Sequence, residues 1–273
     1  MGAKLVLRQD QGCAPTRYRE VVLTVYHCAR DLVTQRQPIT PSDMVNLKTM
    51  NLTKTHHYSR ILPLFLLLAL FTFAFSQGPP KETGPFREPD LVELVKLDPT
   101  IKLDVRYATK NNFLGKPVYK QARAFLQRPA AEALARANQN LRTQGFGLVV
   151  FDGYRPWSVT KAFWDATPAD KKIFVADPSQ GSRHNRGCAV DLSMFDLKTG
   201  KLVQMPSEYD EMTERSHINY ECGSAEAKRL RGILKAAMEA EGFAVYEPEW
   251  WHYDYKDWKE YPIQNVAFDK IKK

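Results

Sequence analysis

Three things are scarce in these 273 residues, and each scarcity closes off a class of protein. There are only four cysteines. Cys13 and Cys28 lie near the start, which leaves Cys188 and Cys222 for the rest of the chain. A bridge between those two is permitted in an oxidising compartment, and two free buried thiols fit equally well, but so few cysteines exclude a disulfide-built scaffold. Long hydrophobic runs are also scarce. The one candidate, Ile61 to Phe75, falls short of the ~20 residues that cross a bilayer comfortably. Excess charge of one sign is the third absence. The formal net charge is +8, yet nine of the 39 Lys and Arg and four of the 31 Asp and Glu fall in residues 1–76, leaving 30 against 27 beyond them. With that small remainder and no basic stripe, no nucleic-acid partner is expected.

What is present begins with the apolar run itself. Lys54 and Arg60 flank it on one side, and Ala74 and Ser76 follow where small residues precede a cleavage point. That layout predicts a secretory signal peptide over residues 50–76, cut after Ser76. A single membrane anchor is the competing reading; a core helix would need a polar face, and the run has none. A signal should begin a protein, so residues 1–49 read as a doubtful extension, with Met44 or Met50 as the true start. Residues 77–90, "QGPPKETGPFREPD", read as a Pro/Gly/Lys-rich linker. A single domain is expected over 91–273. The 197 residues that follow Ser76 in a chain of 273 are enough to bury a core without staples.

Within that domain, "LVELVKLDPTIKLDVRYAT" suggests short strands separated by a turn at Asp98-Pro99. "RPAAEALARANQNLRTQG" has apolar residues recurring at three and four and a stopping glycine, Gly145, which predicts a helix. "FGLVVFDGYRP" reads as a buried strand entering a turn, and "WSVTKAFWDAT" as a short helix with Ser158 available to cap it. A polar loop leads to the strand "CAVDLSMFD", and "DLKTGKLV" to a hairpin turning at Thr199-Gly200. A second long helix, "SAEAKRLRGILKAAMEAEG", ends at Gly242, and "FAVYEPEWWHYDY" forms the last strand pair. Helices interleaved with hairpin-linked strands predict an α+β fold with a mostly antiparallel central sheet. No internal repeat is evident.

The chemistry-bearing residues are "SRHNRGCAVDLSMFD" and, far downstream, "EPEWWHYDY". His184 and Asp191 straddle Gly187, which lets the loop bend into the strand. His252 stands three residues after Glu249. A catalytic zinc takes three ligands of these types and leaves a position open. A neighbouring carboxylate then serves as base toward water whose pKa the ion lowers. Residue type and spacing alone leave this one reading among several. A lone histidine is commonly a satisfied core or surface residue, and an aspartate on a strand a structural acceptor.

The longer pattern narrows the choice. Ser182, His184, Gly187, Ala189 and Asp191 match the motif Ser-x-His-x-x-Gly-x-Ala-x-Asp, and Glu249, Trp251 and His252 match Glu-x-Trp-His, with "FDGYRP" before both. The chain thereby resembles the D-alanyl-D-alanine dipeptidases, zinc peptidases related to the D,D-carboxypeptidases and to the hedgehog fold. "DVRYATKNNFLGKPVY" resembles the dipeptidase branch in particular, and the likeness runs from about Leu91 to Tyr255.

The resemblance implies one Zn2+ per chain at His184, Asp191 and His252, Glu249 as catalytic base and Arg155 as partner of the transition state. It also implies an acidic residue that reads the substrate's free amine. Asp210 in "PSEYDEM" is the candidate, with Glu208 and Glu211 as alternatives because the wording there departs from the family's. Ser182 and Tyr107 are candidates to line the same pocket. The expected partner is a small D,D-dipeptide met in the periplasm or cell envelope during peptidoglycan turnover, without stable membrane insertion after signal cleavage; nothing in the pattern bears on oligomeric state.

A D,D-carboxypeptidase acting on longer muropeptides and a non-catalytic zinc-stabilised module are the rival readings. Glu249 and Arg155 together argue against the second, since a binding module needs neither. Cys188 is expected to pack in the core, facing away from Asp191. Trp157, Phe163 and Trp164 read as a core stripe. Trp250 and Trp251 read as a split pair, one packed inside and one beside the site. His217 reads as a surface or capping residue.

Overall fold

The computed structural model describes residues 78–271; the extension, the signal segment, Cys13 and Cys28 lie outside them. The described residues form one compact unit from Gly78 onward. Its elements in chain order are β1 (Leu91–Glu93), α1 (Leu94–Leu97), β2 (Lys102–Leu103), β3 (Phe125–Gln127), α2 (Arg128–Thr143), β4 (Phe146–Asp152), α3 (Trp157–Ala166), β5 (Ala189–Asp196), α4 (Ala225–Ala240), β6 (Phe243–Tyr246) and β7 (Glu249–Tyr255). Five strands make the central sheet in the order β2-β4-β5-β7-β6, and β1 pairs with β3 in a separate ribbon. The pairings β4–β5, β5–β7 and β6–β7 are antiparallel, and only the edge pairing β2–β4 is parallel. The sheet is therefore α+β in character and mostly antiparallel, as the hairpin-linked pattern predicts.

The two long helices form for the reason their sequences give. In α2, Ala130, Ala133, Leu134, Ala137 and Leu141 fall on one stripe and are fully buried; in α4, Ala227, Leu230, Leu234 and Met238 form a buried stripe. Ser224 caps α4 by accepting from the Ala227 amide at 3.1 Å. The central strands are continuous apolar runs: Leu148, Val150, Val190, Leu192 and Met194 are all 0% exposed. Each such side chain contributes about 1.5–3 kcal/mol by leaving water. Asn138 on α2 ties helix to sheet, accepting from the Leu148 amide at 2.9 Å and donating to Asp98 at 2.8 Å.

Two local expectations are corrected. Leu94–Leu97, within the stretch read as strands, forms one helical turn. Ser158 does not cap α3. Pro156, with φ −54°, starts the helix, and the first free amides are taken by the C-terminal segment instead. Trp157 donates to the Gln264 carbonyl and the Ser158 amide to Asn265, each at 3.0 Å. Trp250 and Trp251 are both buried, and Trp251 packs edge-on against Tyr209, whose hydroxyl bonds Asp191. Trp157 and Phe163 of the expected stripe are buried, while Trp164 is half-buried beneath the Lys172 ammonium. His217 closes the 3-10 turn Glu214–Ser216. Cys188 is a free, fully buried thiol, so it forms no bridge with Cys222. The stretch before Leu91 is tied down: Arg87 donates to Glu260, and Glu82 binds Arg186 and the Ile263 amide.

Gly187 is the position where backbone freedom is needed. Its φ is +70°, and a Cβ there would stand 2.5 Å from Leu91 Cδ2. Gly187→Ala is expected to lower unfolding free energy by roughly 1–3 kcal/mol, because the left-handed conformation and the clash act together. Urea denaturation measures this, and an unchanged midpoint would show that the turn and Leu91 yield at no cost.

Candidate metal centre

Three strands bring the site together in one row. In the ladders, Asp191 of β5 lies opposite Asp152 of β4 on one side and opposite His252 of β7 on the other. The row depends on two irregularities. On β4 the register shifts between Val150 and Asp152, an extra residue that brings Asp152 level with Asp191. On β7 the pairing with β6 jumps from Tyr253 to Glu249. Strict alternation would point Glu249 and His252 to opposite faces. The bulge instead sets the Glu249 carboxylate 3.8 Å from His252 Nδ1.

His184 arrives from a 3-10 turn, His184–Arg186, that Gly187 closes. Its Nδ1 is 2.7 Å from the Gly153 carbonyl, which only accepts, so Nδ1 holds the proton and Nε2 presents a lone pair. His252 stands between two carboxylates, Nε2 at 2.9 Å from Asp254 and Nδ1 at 3.1 Å from Asp191 Oδ1, so a proton on Nε2 leaves Nδ1 to face inward. The two inward-facing nitrogens are 3.1 Å apart, and the same Asp191 oxygen is 3.4 Å from His184 Nε2. Each of the three groups thus turns one potential donor atom toward a single point, and all lie within 4.8 Å of one another. Two imidazoles and a carboxylate are a zinc donor set, and the remaining direction is left open as in catalytic sites. The residues fit the ion. Burial opposes charge on His252, but Asp254 and Asp191 outweigh it and hold the imidazole well above its ordinary pKa. The pocket itself favours a cation at this point.

The other Asp191 oxygen accepts from the Tyr209 hydroxyl at 2.9 Å and lies 3.6 Å from Arg155. Arg155 is pinned. Its Nε donates to Asp152 at 2.9 Å and a terminal nitrogen stands 2.8 Å away; its guanidinium lies over the Phe163 and Tyr107 rings. Asp152 is held in turn by the Tyr119 hydroxyl at 2.9 Å. Asn185 locks the backbone beneath, donating to the Arg155 carbonyl at 2.8 Å. Burial raises the Glu249 carboxyl, His252 opposes, and Asp191 adds to the rise, for a pKa of about 7.

Asp210 stands apart in two respects. It is the non-glycine residue with left-handed backbone among those described, at φ +61°, and burial, reinforced by Asp191, pushes its carboxyl well above the usual range. The Tyr107 hydroxyl lies 3.0 Å from both its oxygens. Among the described residues no Lys, Arg or His pairs with it. Glu208 is exposed, and Glu211 is engaged within its own loop by the Glu208 amide and Thr213. Ser182 also faces inward on its own turn, accepting from the His184 amide at 3.2 Å. The sequence reading passed over Asp152, Tyr209 and Asp254. Asp152 stood in the quoted "FDGYRP" stretch three residues before Arg155, and Asp254 two residues beyond His252 on an alternating strand, whereas Tyr209 left no such signal.

A three-ligand cluster, an adjacent carboxylate of raised pKa and a fixed guanidinium define a single-metal hydrolase centre. Residues 87–271 match the family described as D-ala-D-ala dipeptidase, and the chain belongs to that family of zinc peptidases. It is 36% identical over 174 residues to the D-alanyl-D-alanine dipeptidase of Escherichia coli, a match covering 64% of this chain and 89% of the relative. It is 38% identical over 190 residues to the D-alanyl-D-alanine dipeptidase of Enterococcus faecium, covering 62% and 91%.

Zinc binding is expected to stabilise the fold. At about a hundredfold excess over Kd the increment is about 2.7 kcal/mol, and His184→Ala or Asp191→Ala should abolish it. Thermal denaturation with and without zinc tests this; an equal shift in the variants would exclude them as ligands.

Proposed function

We propose that the chain hydrolyses D-alanyl-D-alanine outside the cytoplasm during peptidoglycan turnover, with zinc held by His184, Asp191 and His252. The substrate reading is supported by the relatives' names and by the share of their length that matches. Export rests on the 50–76 signal pattern; among the described residues no helix is long and apolar enough to cross a membrane. The observation that carries the reading is Glu249, a carboxyl raised to about 7 beside a metal-ligand nitrogen.

Zinc, when bound, supplies Lewis-acid polarisation of the scissile carbonyl and makes water a stronger acid. Glu249 takes the proton of the attacking water and returns it to the departing amine; a carboxyl near neutrality suits both transfers. Arg155, held by Asp152, meets the negative charge that grows on the carbonyl oxygen, and being fixed beforehand it need not reorganise. Asp210 and Tyr107 receive the substrate's ammonium. An enclosed carboxylate without a cation of its own is costly until such a partner arrives.

The deciding experiment is alanine release from D-Ala-D-Ala by purified chain, with and without chelator. Release with zinc and none with chelator is expected; no release with zinc would leave a binding module. Glu249→Gln should lower kcat by about 10²–10⁴. The base must be deprotonated to act, so kcat/KM should rise with pH. The nearby cation pulls the Glu249 pKa down, which puts the acid limb at or below about pH 7. A profile flat through this range would remove Glu249 from the role.

Asp210→Asn should raise KM for the dipeptide sharply, and N-acetyl-D-Ala-D-Ala should be a poor substrate. Equal turnover of the acetylated compound would favour a D,D-carboxypeptidase.

A further inference from the structure

Arg183 and Asp254 are neither metal ligands nor groups with an assigned part in the reaction. They nevertheless join the two segments that carry the imidazoles. Arg183 immediately precedes His184, and Asp254 follows His252 by two on β7, where it pairs with Ala189 of β5. An Arg183 terminal nitrogen donates to Asp254 Oδ2 at 2.5 Å. The other oxygen, Oδ1, accepts from His252 Nε2 at 2.9 Å. The guanidinium in turn lies 4.6 Å over the Trp258 ring, which limits how it can tilt. Across the imidazole, the Tyr246 ring packs edge-on at 5.6 Å.

An imidazole can offer a lone pair from either nitrogen, and the hydrogen bond at one decides which is offered by the other. Nδ1 of His252 faces Asp191 and His184, so a metal held there requires the ring proton to sit on Nε2, where Asp254 Oδ1 is placed to accept it. A lone aspartate retains two side-chain rotations and could follow the ring or swing away. With Oδ2 held by Arg183, both oxygens are committed, and the carboxylate can neither swing nor compete as a ligand.

We infer that Arg183 and Asp254 form a clasp that fixes the tautomer and ring orientation of His252, making both of them positioning residues for metal retention. The inference rests on His252 being a ligand. An ordinary cross-strand ion pair would explain the same contacts but predicts a change in stability alone. Zinc affinity and the protonation of a particular ring nitrogen separate the two explanations.

Zinc affinity of the full chain is measured by competition with a chromophoric chelator, and the tautomer by 15N imidazole spectra of the zinc-loaded chain. Asp254→Ala is expected to weaken zinc binding by about 10–100-fold and to release the Nε2–H tautomer. Asp254→Asn keeps an oxygen for Nε2–H, so it should preserve the tautomer and lose less affinity. Arg183, whose side chain is 38% exposed, tolerates truncation; Arg183→Ala should cost at least about threefold in affinity, and Arg183→Lys should recover part of it. His184→Ala serves as control. If it binds zinc like the parent chain, the ligand set fails and the clasp with it. If it loses zinc while Asp254→Ala and Arg183→Ala stay within about twofold of the parent and keep the tautomer, the ligand set stands and the clasp is overturned.

Discussion

A surplus of enclosed negative charge governs this molecule. Asp152, Asp191, Asp210, Glu249 and Asp254 crowd one end of the sheet, and the fixed guanidinium groups among them belong to Arg155 and Arg183. Removing an ion from water costs several kcal/mol unless a partner meets it. Two carboxylates, Asp152 and Asp254, have that partner within the fold. Asp191 has imidazoles, a tyrosine hydroxyl and Arg155 at 3.6 Å, and Asp210 among the described residues is hydrogen-bonded by a tyrosine. The remaining imbalance amounts to a demand for a divalent cation at one point and a monovalent one nearby, which is the charge pattern of a metal ion and a protonated amine. Fold, cofactor and substrate are linked through this one deficit.

The sheet meets that demand with rigid elements. Asp152, Asp191 and His252 stand in a row across three hydrogen-bonded strands, so their spacing is set by the ladder. The strand carrying Asp191 is regular, while both of its neighbours are bulged, and the bulges turn Asp152 and Glu249 toward the row. The groups proposed to meet the substrate's amine sit on irregular segments instead. Asp210 is on a loop with left-handed backbone, and Tyr107 is on a 3-10 turn. Asp191, Glu249 and His252 thus rest on strands, whereas His184, Arg155 and the proposed recognition groups rest on connections.

Much of this was legible in the sequence, for identifiable reasons. The long helices announce themselves because their apolar stripes and terminal glycines follow from helix geometry alone. His184, Asp191, Glu249 and His252 stand in two short motifs. The strand interval between His184 and Asp191 and the glycine between them are local properties. What the sequence hid depends on pairing between distant segments. No local rule assigns an extra residue to β4 or β7, so the alignment of Asp152 with Asp191 was invisible. The same alternation rule would have placed Glu249 on the wrong face. Ser158 failed as a cap because Gln264 and Asn265, more than a hundred residues later, reach the helix start first. Trp251 is buried because Tyr209, from another loop, packs edge-on against it.

Asp191 reaches the centre only because its strand is paired in one register. Sliding β5 by a single residue would turn that carboxylate to the far side of the sheet and bring Val190 or Leu192 into its place. Strand register and ligand set are therefore a single property here: a slipped β5 would leave the two imidazoles without the carboxylate that completes the cluster.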